Sequence, residues 1–195
     1  MIIGLRFGVW DVEYIGNWVL LSLLGGDDTS ASTDFAVICI SSCQSRRFKG
    51  ISSAILDDSN HADGCLLFTL DSAAANKVIL SLFAFDCNFK GDFSTPAWVC
   101  EIGAVSGEDS KQHWAIFGIQ RKSNFITVVG PLGSLHVIDI KTGAKRYHSN
   151  ICSSDQILSL KVSLDDSFGS FITKNERKIC YFDMKSVLAN LNATE

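Results

Sequence analysis

The residues best suited to catalytic chemistry in this 195-residue chain are its histidines. They are His61, His113, His136 and His148. Catalysis needs a nucleophile, a base and an orienting group placed together. His136 lies inside an apolar strand-like run and His113 opens another, and neither has neighbours that suggest a triad. We therefore assign the histidines structural or surface roles and predict that the chain is not an enzyme and holds no cofactor.

Four aspartates also attract attention, because each follows a short apolar run. They are Asp11, Asp86, Asp139 and Asp183. Paired carboxylates can serve acid–base chemistry. A shared position at the end of a strand instead favours turn capping, since an aspartate side chain accepts hydrogen bonds from nearby backbone N–H groups. We predict the structural role for all four.

A zinc site is the remaining chemical possibility, built from Cys39, Cys43, Cys65 and His61. Cys39 lies in an apolar run, however, and no second closely spaced cysteine pair exists. The seven cysteines are odd in number and irregularly spaced. In apolar runs a cysteine behaves as a small hydrophobe. We predict no metal and no disulfide framework, which is typical of an intracellular protein of the cytoplasm or nucleus.

Charge and hydropathy exclude further classes. The net charge of −4 and the scattered basic residues make direct contact with nucleic acid improbable. No secretory signal is recognisable, and no run approaches the ~20 apolar residues of a membrane span. One small basic cluster stands out, Arg46-Arg47-Phe48-Lys49. It falls in segment 42–63, which we interpret as a long insertion with one extra short strand at 51–56.

The rest of the chain reads as short β-strands. An outer strand at 5–12 contains Trp10-Asp11, and 17–24 is apolar enough to be buried on both faces. The strands that follow are predicted at 35–41, 66–70, 77–86, 98–105, 113–120, 125–130, 135–140, 144–149, 156–163, 168–173 and 178–183. The Lys141-Thr142-Gly143 turn ends in a glycine that can adopt a positive φ. Residues 184–195 form a tail with weak helical character.

The apolar runs ending in aspartate, the Lys141-Thr142-Gly143 turn and the 44-residue spacing from Asp139 to Asp183 resemble the WD40 repeats of β-propellers. The resemblance covers 97–183 well and 5–96 loosely. It implies an all-β fold, a partial WD40-like β-propeller of about three four-stranded antiparallel blades plus one strand. Residues 1–96 would be a divergent blade with an insertion, 97–140 and 141–183 two further blades, and 184–195 the tail. The chain looks like the C-terminal portion of a longer propeller.

The resemblance also implies a non-catalytic scaffold that binds protein partners, including ones that would complete the propeller. Candidate partner-binding residues are Arg46, Arg47, Lys49, His113, Asp155 and Gln156. An enzyme on a propeller scaffold, and a truncated fragment with no function of its own, are the alternatives. Because the sheets at either end would lack a neighbour, we expect residues such as Trp18, Leu20, Ile179 and Tyr181 to be exposed. The purified chain should then associate rather than remain a monomer.

Overall fold

The computed structural model describes residues 8–24, 33–50, 52–58, 64–73, 77–89, 95–104, 115–116, 124–129, 134–150, 157–163, 165, 167–173 and 177–192. These residues form antiparallel strands and one short helix, so the predicted all-β class is confirmed. Within the described ranges, no helix is both long and apolar enough to cross a bilayer.

The first two sheets each contain four strands in chain order. The first sheet comprises β1 (Gly8–Ile15), β2 (Trp18–Leu24), β3 (Thr33–Cys39) and β4 (Gln44–Gly50). The second comprises β5 (Ser52–Asp58), β6 (Gly64–Ala73), β7 (Lys77–Phe85) and β8 (Trp98–Ala104).

The third sheet also has four strands, and the described part of the fourth has three. The third comprises β9 (Ala115–Ile116), β10 (Phe125–Val129), β11 (Ser134–Asp139) and β12 (Lys145–Asn150). The fourth comprises β13 (Ile157–Val162), β14 (Phe168–Thr173) and β15 (Ile179–Asp183). The helix α1 (Met184–Asn192) follows β15 directly, which confirms the helical tail.

Most strands were predicted close to their observed positions, although β4 was not predicted. The grouping of the strands into sheets also differs from the predicted blades of 97–140 and 141–183. The strand β12 pairs with β11 and closes the third sheet, whereas it was predicted to open the following blade. In the same way β8 belongs to the second sheet. The aspartates Asp86, Asp139 and Asp183 therefore follow or end the third strand of a sheet, and the outer strand comes after the turn.

The amino-terminal half corrects two more predictions. Trp10-Asp11 lies inside β1, the first strand of a complete sheet, and the register shifts between Val9 and Asp11. It is not the last strand of an absent blade. Segment 42–63 is not an insertion, because β4 pairs with β3 and β5 pairs with β6. The extra strand predicted at 51–56 corresponds to β5.

The chain divides into two compact units, Met1–Ser72 with Leu80–Ala97, and Ala73–Ile79 with Trp98–Glu195. In the first unit the core is built around Trp18, which is fully buried. Its ring meets Phe85 and Phe89 edge-on, with centroid distances of 5.2 and 5.6 Å. Such pairs add about 1 kcal/mol beyond the area they bury. The expected exposure of Trp18 and Leu20 is thus wrong, since they are 0% and 3% exposed.

Both faces of β2 are buried, as predicted. Trp18 and Leu20 belong to one apolar cluster, and Leu21 and Leu23 to another on the opposite face. This follows from the two-residue period of a strand, which sends successive side chains to opposite faces. The first sheet therefore has a packed face on each side.

The second unit has a core in which Val129 and Leu135 of the third sheet pack with Leu160 and Phe171 of the fourth. The helix α1 adds to it through Val187, which is buried with Val137 of β11. Met184, the first residue of the helix, is fully buried. The tail is thus anchored on the third and fourth sheets.

Candidate interaction surfaces

The aspartates that follow or end third strands act as caps, as predicted. Asp139 accepts hydrogen bonds from the backbone N–H groups of Lys141 and Thr142, both at 2.9 Å. Arg146 lies 3.6 Å from the same carboxylate. Burial raises the pKa of Asp139, but the Thr142 and Lys141 hydrogen bonds and the Arg146 charge outweigh it, and the net pKa is lowered. Asp139 is held ionised to order a turn.

The other two caps follow the same chemistry. Asp86 accepts from the backbone N–H of Asn88 at 3.0 Å. Asp183 accepts from the backbone N–H of Lys185 at 2.9 Å and from the Ser186 hydroxyl, at the start of α1. The Ser186 hydroxyl lowers the pKa of Asp183. Asp11 is the exception: it lies within β1 and accepts from the N–H of the adjacent Val12.

Trp98 fastens the Lys141-Thr142-Gly143 turn to the second sheet's outer strand. Its indole N–H donates to the carbonyl oxygen of Ile140 at 2.7 Å. Gly143 has a φ of +70°, and a Cβ there would stand 2.6 Å from Trp98 Cδ2. Glycine is therefore required at this position for two reasons, backbone conformation and the approach of the ring.

The thiol of Cys39 has polar neighbours although the residue is buried. It accepts from the Asn17 amide nitrogen at 3.3 Å and contacts the Ser41 hydroxyl at 3.3 Å. Burial raises the pKa of its thiol, yet the hydrogen bonds from Ser41 and Ser42 prevail and the pKa is lowered. The Asn17 side-chain oxygen also accepts a hydrogen bond from the Ser41 backbone N–H at 3.0 Å. The cluster ties the β1–β2 turn to the β3–β4 turn, which is a structural role.

The three cysteines considered as possible zinc ligands differ in their exposure. Cys39 and Cys65 are buried whereas Cys43 is exposed. Across the residues that the structure describes, no three His, Cys, Asp or Glu side chains converge as a metal site. His61 lies outside those residues. His136 is buried in β11, and its Nε2 lies 3.2 Å from the Ser134 hydroxyl.

The basic candidates Arg46, Arg47 and Lys49 lie on β4 rather than in a loop. All three are exposed. Arg47 is opposite Ala36 in the register with β3, and Arg46 is opposite Val37. Because cross-strand partners share a face, the two arginines project from opposite faces of the sheet edge. The other three candidates, His113, Asp155 and Gln156, lie outside the described residues.

A second surface is the outward face of the fourth sheet. Its large apolar side chains are Phe168 and Ile172 on β14 and Ile179 and Tyr181 on β15. Ile179 is 61% exposed and Tyr181 70% exposed, as expected from the sequence. Phe168 and Tyr181 meet edge-on with ring centroids 6.3 Å apart. The register pairs Ile172 with Ile179, so these four side chains share one face, named here the outer apolar face.

The opposite face of β14 is buried, and this alternation accounts for the exposure of the residues in between. Gly169, Phe171 and Thr173 alternate with the exposed residues of β14 and are buried. Phe171 packs into the core with Leu160. Sequence reasoning found Ile179 and Tyr181 but missed Phe168 and Ile172. The alternation of large apolar side chains along β14 was the available signal.

Comparison with known proteins agrees with this architecture. No family model and no curated protein sequence matches the chain. Two structures of Kluyveromyces lactis Hsv2, a propeller protein, are similar to it. One has a TM-score of 0.58 at 10% identity and the other 0.54 at 12%. They cover 93% and 92% of this chain.

This likeness establishes the fold. The chain has a β-propeller fold. It spans about half the length of the Hsv2 chains it matches, 51% and 50% respectively. Each of its small antiparallel sheets corresponds to a blade of such a fold.

Proposed function

We propose that this chain is a non-catalytic scaffold of the WD40-repeat type that binds protein partners, and that the outer apolar face is one of its contact surfaces. The observation that carries the proposal is the exposure of Phe168, Ile172, Ile179 and Tyr181 on one sheet face. The largest contiguous apolar patch on a soluble monomer usually covers a few hundred Å² and is often functional.

The size of this face supports an interface. Two aromatic and two aliphatic side chains with roughly half of their surface exposed contribute on the order of 300–400 Å² of accessible apolar area. At ~25 cal/mol per Å², covering that area is worth several kcal/mol. This is a substantial part of the ~5–15 kcal/mol by which a typical domain is stable. Part of this gain offsets the entropy lost on association, and the remainder favours a partner that covers the face.

The chemistry of the face also suits a protein partner. Tyr181 combines a large apolar surface with a hydroxyl that can find a hydrogen-bond partner at a half-wet interface. Aromatic residues of this kind are enriched among those that dominate binding energy. Without a partner, the purified chain should self-associate through the same face.

Sedimentation velocity tests this proposal with the double variant Ile179→Thr/Tyr181→Thr. Threonine keeps the β-branched character that strands favour while removing most of the apolar area. The matched control is Val99→Thr on β8, where the valine is 53% exposed. We expect the parent chain and the control to associate with rising concentration and the double variant to remain a monomer. A parent chain that stays monomeric, or a double variant that associates equally, would refute the proposed surface.

A further inference from the structure

The exposed strand at the edge of the first sheet, β4, has features that suit a partner of particular chemistry. We infer that β4 is a docking edge for an extended acidic peptide, which adds to the first sheet as a further strand. The inference rests on the proposed scaffold function, but it concerns a different surface from the outer apolar face. Four observations support it: the position of β4, its charges, the directions in which those charges project and the packing behind the strand.

The first observation is that β4 forms an edge. In the described part of the sheet the strand order is β1-β2-β3-β4, and β4 pairs with β3 alone. An edge strand directs a row of backbone N–H and C=O groups away from the sheet. Extended peptides bind to such edges by pairing their own backbone with those groups. Residues 44–47 are exposed, which leaves this side of the strand accessible.

The second observation is charge. β4 carries Arg46, Arg47 and Lys49 and no acidic residue, in a chain whose net charge is −4. The Lys49 ammonium lies 4.0 Å from a carboxylate oxygen of Asp34 on β3. A basic edge in an acidic chain is complementary to an acidic segment.

The third observation concerns the direction of the charges. Val37, opposite Arg46, packs in the cluster of Trp18, whereas Ala36, opposite Arg47, packs in the cluster of Leu21 on the other face. An added strand also sends successive side chains to opposite faces. Two adjacent acidic residues in the peptide would therefore each meet one arginine. A lipid surface has no backbone to pair with β4, so an extended peptide fits this edge better than an anionic membrane does.

The strand is also firmly held. Phe48 stacks on Phe35 of β3 with centroids 5.4 Å apart and planes 16° from parallel. Gly50, at the end of the strand, is buried. A preorganised edge reduces the entropy lost when a peptide adds to it.

The test measures binding of a fluorescein-labelled octapeptide with a central Glu-Glu pair flanked by threonine and valine. Fluorescence anisotropy at low salt gives its affinity. Two control peptides separate the contributions: one has Gln-Gln at the centre, and the other is N-methylated at alternate backbone positions, which removes strand pairing but keeps the charge. Vesicles of phosphatidylcholine containing phosphatidylserine serve as a membrane probe.

The variant is Arg46→Gln/Arg47→Gln, and the matched control is Arg177→Gln/Lys178→Gln, another exposed adjacent basic pair. Exposed ion pairs each contribute modestly to affinity, so we expect the loss of two to give about tenfold weaker binding in the β4 variant. Binding should also fall with salt and with N-methylation. The Arg177 and Lys178 control should bind as the parent does.

Several results would overturn the inference. They are absence of peptide binding, equal binding of the Gln-Gln or N-methylated peptide, equal loss in the Arg177 and Lys178 control, and vesicle binding through Arg46 and Arg47 that the peptide does not displace.

Failure here is distinguishable from failure of the proposed function. A chain that associates through the outer apolar face but ignores the peptide loses only the β4 inference, and the reverse outcome loses only that face.

Discussion

At the scale of single residues, several aspartate side chains of the described part of the chain accept hydrogen bonds from backbone N–H groups in turns. The predicted caps Asp86, Asp139 and Asp183 are found, because an aspartate after an apolar run has backbone N–H groups within reach. Asp11 shares that sequence context yet lies inside β1. The difference cannot be read locally, since it depends on whether the following residues find a pairing partner in β2.

The turn at Asp165 gives a pH prediction. The hydroxyls of Ser167 and Ser163 each donate to Asp165 at 2.7 Å, and these bonds lower its pKa to about 2. Because the folded pKa lies below the unfolded value of about 3.9, the contribution is complete above that pH and is lost as the pH falls through 2. Urea unfolding of the parent and Asp165→Asn should show a stability difference that is constant above pH ~4 and shrinks toward pH 2. A difference that vanishes already near pH 4 would contradict the assignment.

Gly143→Ala is predicted to destabilise the chain by about 1–3 kcal/mol, since the new methyl group meets the Trp98 ring at a backbone φ of +70°. Gly16→Ala is the control, because Gly16 also has a positive φ, +52°. Thermal or urea unfolding should show the larger loss at Gly143. Equal losses would mean that backbone strain alone sets the requirement for glycine.

At the scale of elements, the sequence predicts most strands but not their grouping. Apolar runs such as Trp18–Leu24 and Phe168–Thr173 can be recognised as strands from their composition and alternation. The outer strands β4 and β12 are mostly exposed and polar, so no local pattern assigns them to a sheet. Pairing of β12 with β11 is set by the short turn that Asp139 caps. For the same reason the sequence predicts an insertion, and not a strand, at the basic cluster of β4.

The start of α1 gives a prediction at this scale. Asp183 accepts from the Lys185 N–H and the Ser186 hydroxyl, so it caps the helix that packs Val187 into the core. Asp183→Ala should lower the free energy of unfolding, whereas Asp183→Asn, which retains an acceptor, should lower it less. Urea unfolding followed by circular dichroism distinguishes the two. Equal losses would show that the cap does not hold the helix.

At the scale of the whole molecule, the fold class was accessible from sequence because most strands are short apolar runs separated by turn residues. The partner surfaces were only partly accessible. Ile179 and Tyr181 could be expected on an uncovered face, whereas the burial of Trp18 depends on Phe85 and Phe89, which are distant along the chain. The chain spans about half the length of the Hsv2 chains it resembles. We propose that another protein covers its outer apolar face, whose large side chains are exposed.

The most direct test of this account is hydroxyl-radical footprinting of Tyr181 across a concentration series, with an added tyrosine-containing peptide as the dose reference. Tyr181 is 70% exposed in the isolated chain, so its modification at low concentration should approach that of the reference. As the protein associates, we predict that Tyr181 becomes protected in proportion to the associated fraction. Association with Tyr181 still modified at the reference rate would contradict the claim that the outer apolar face is the contact surface.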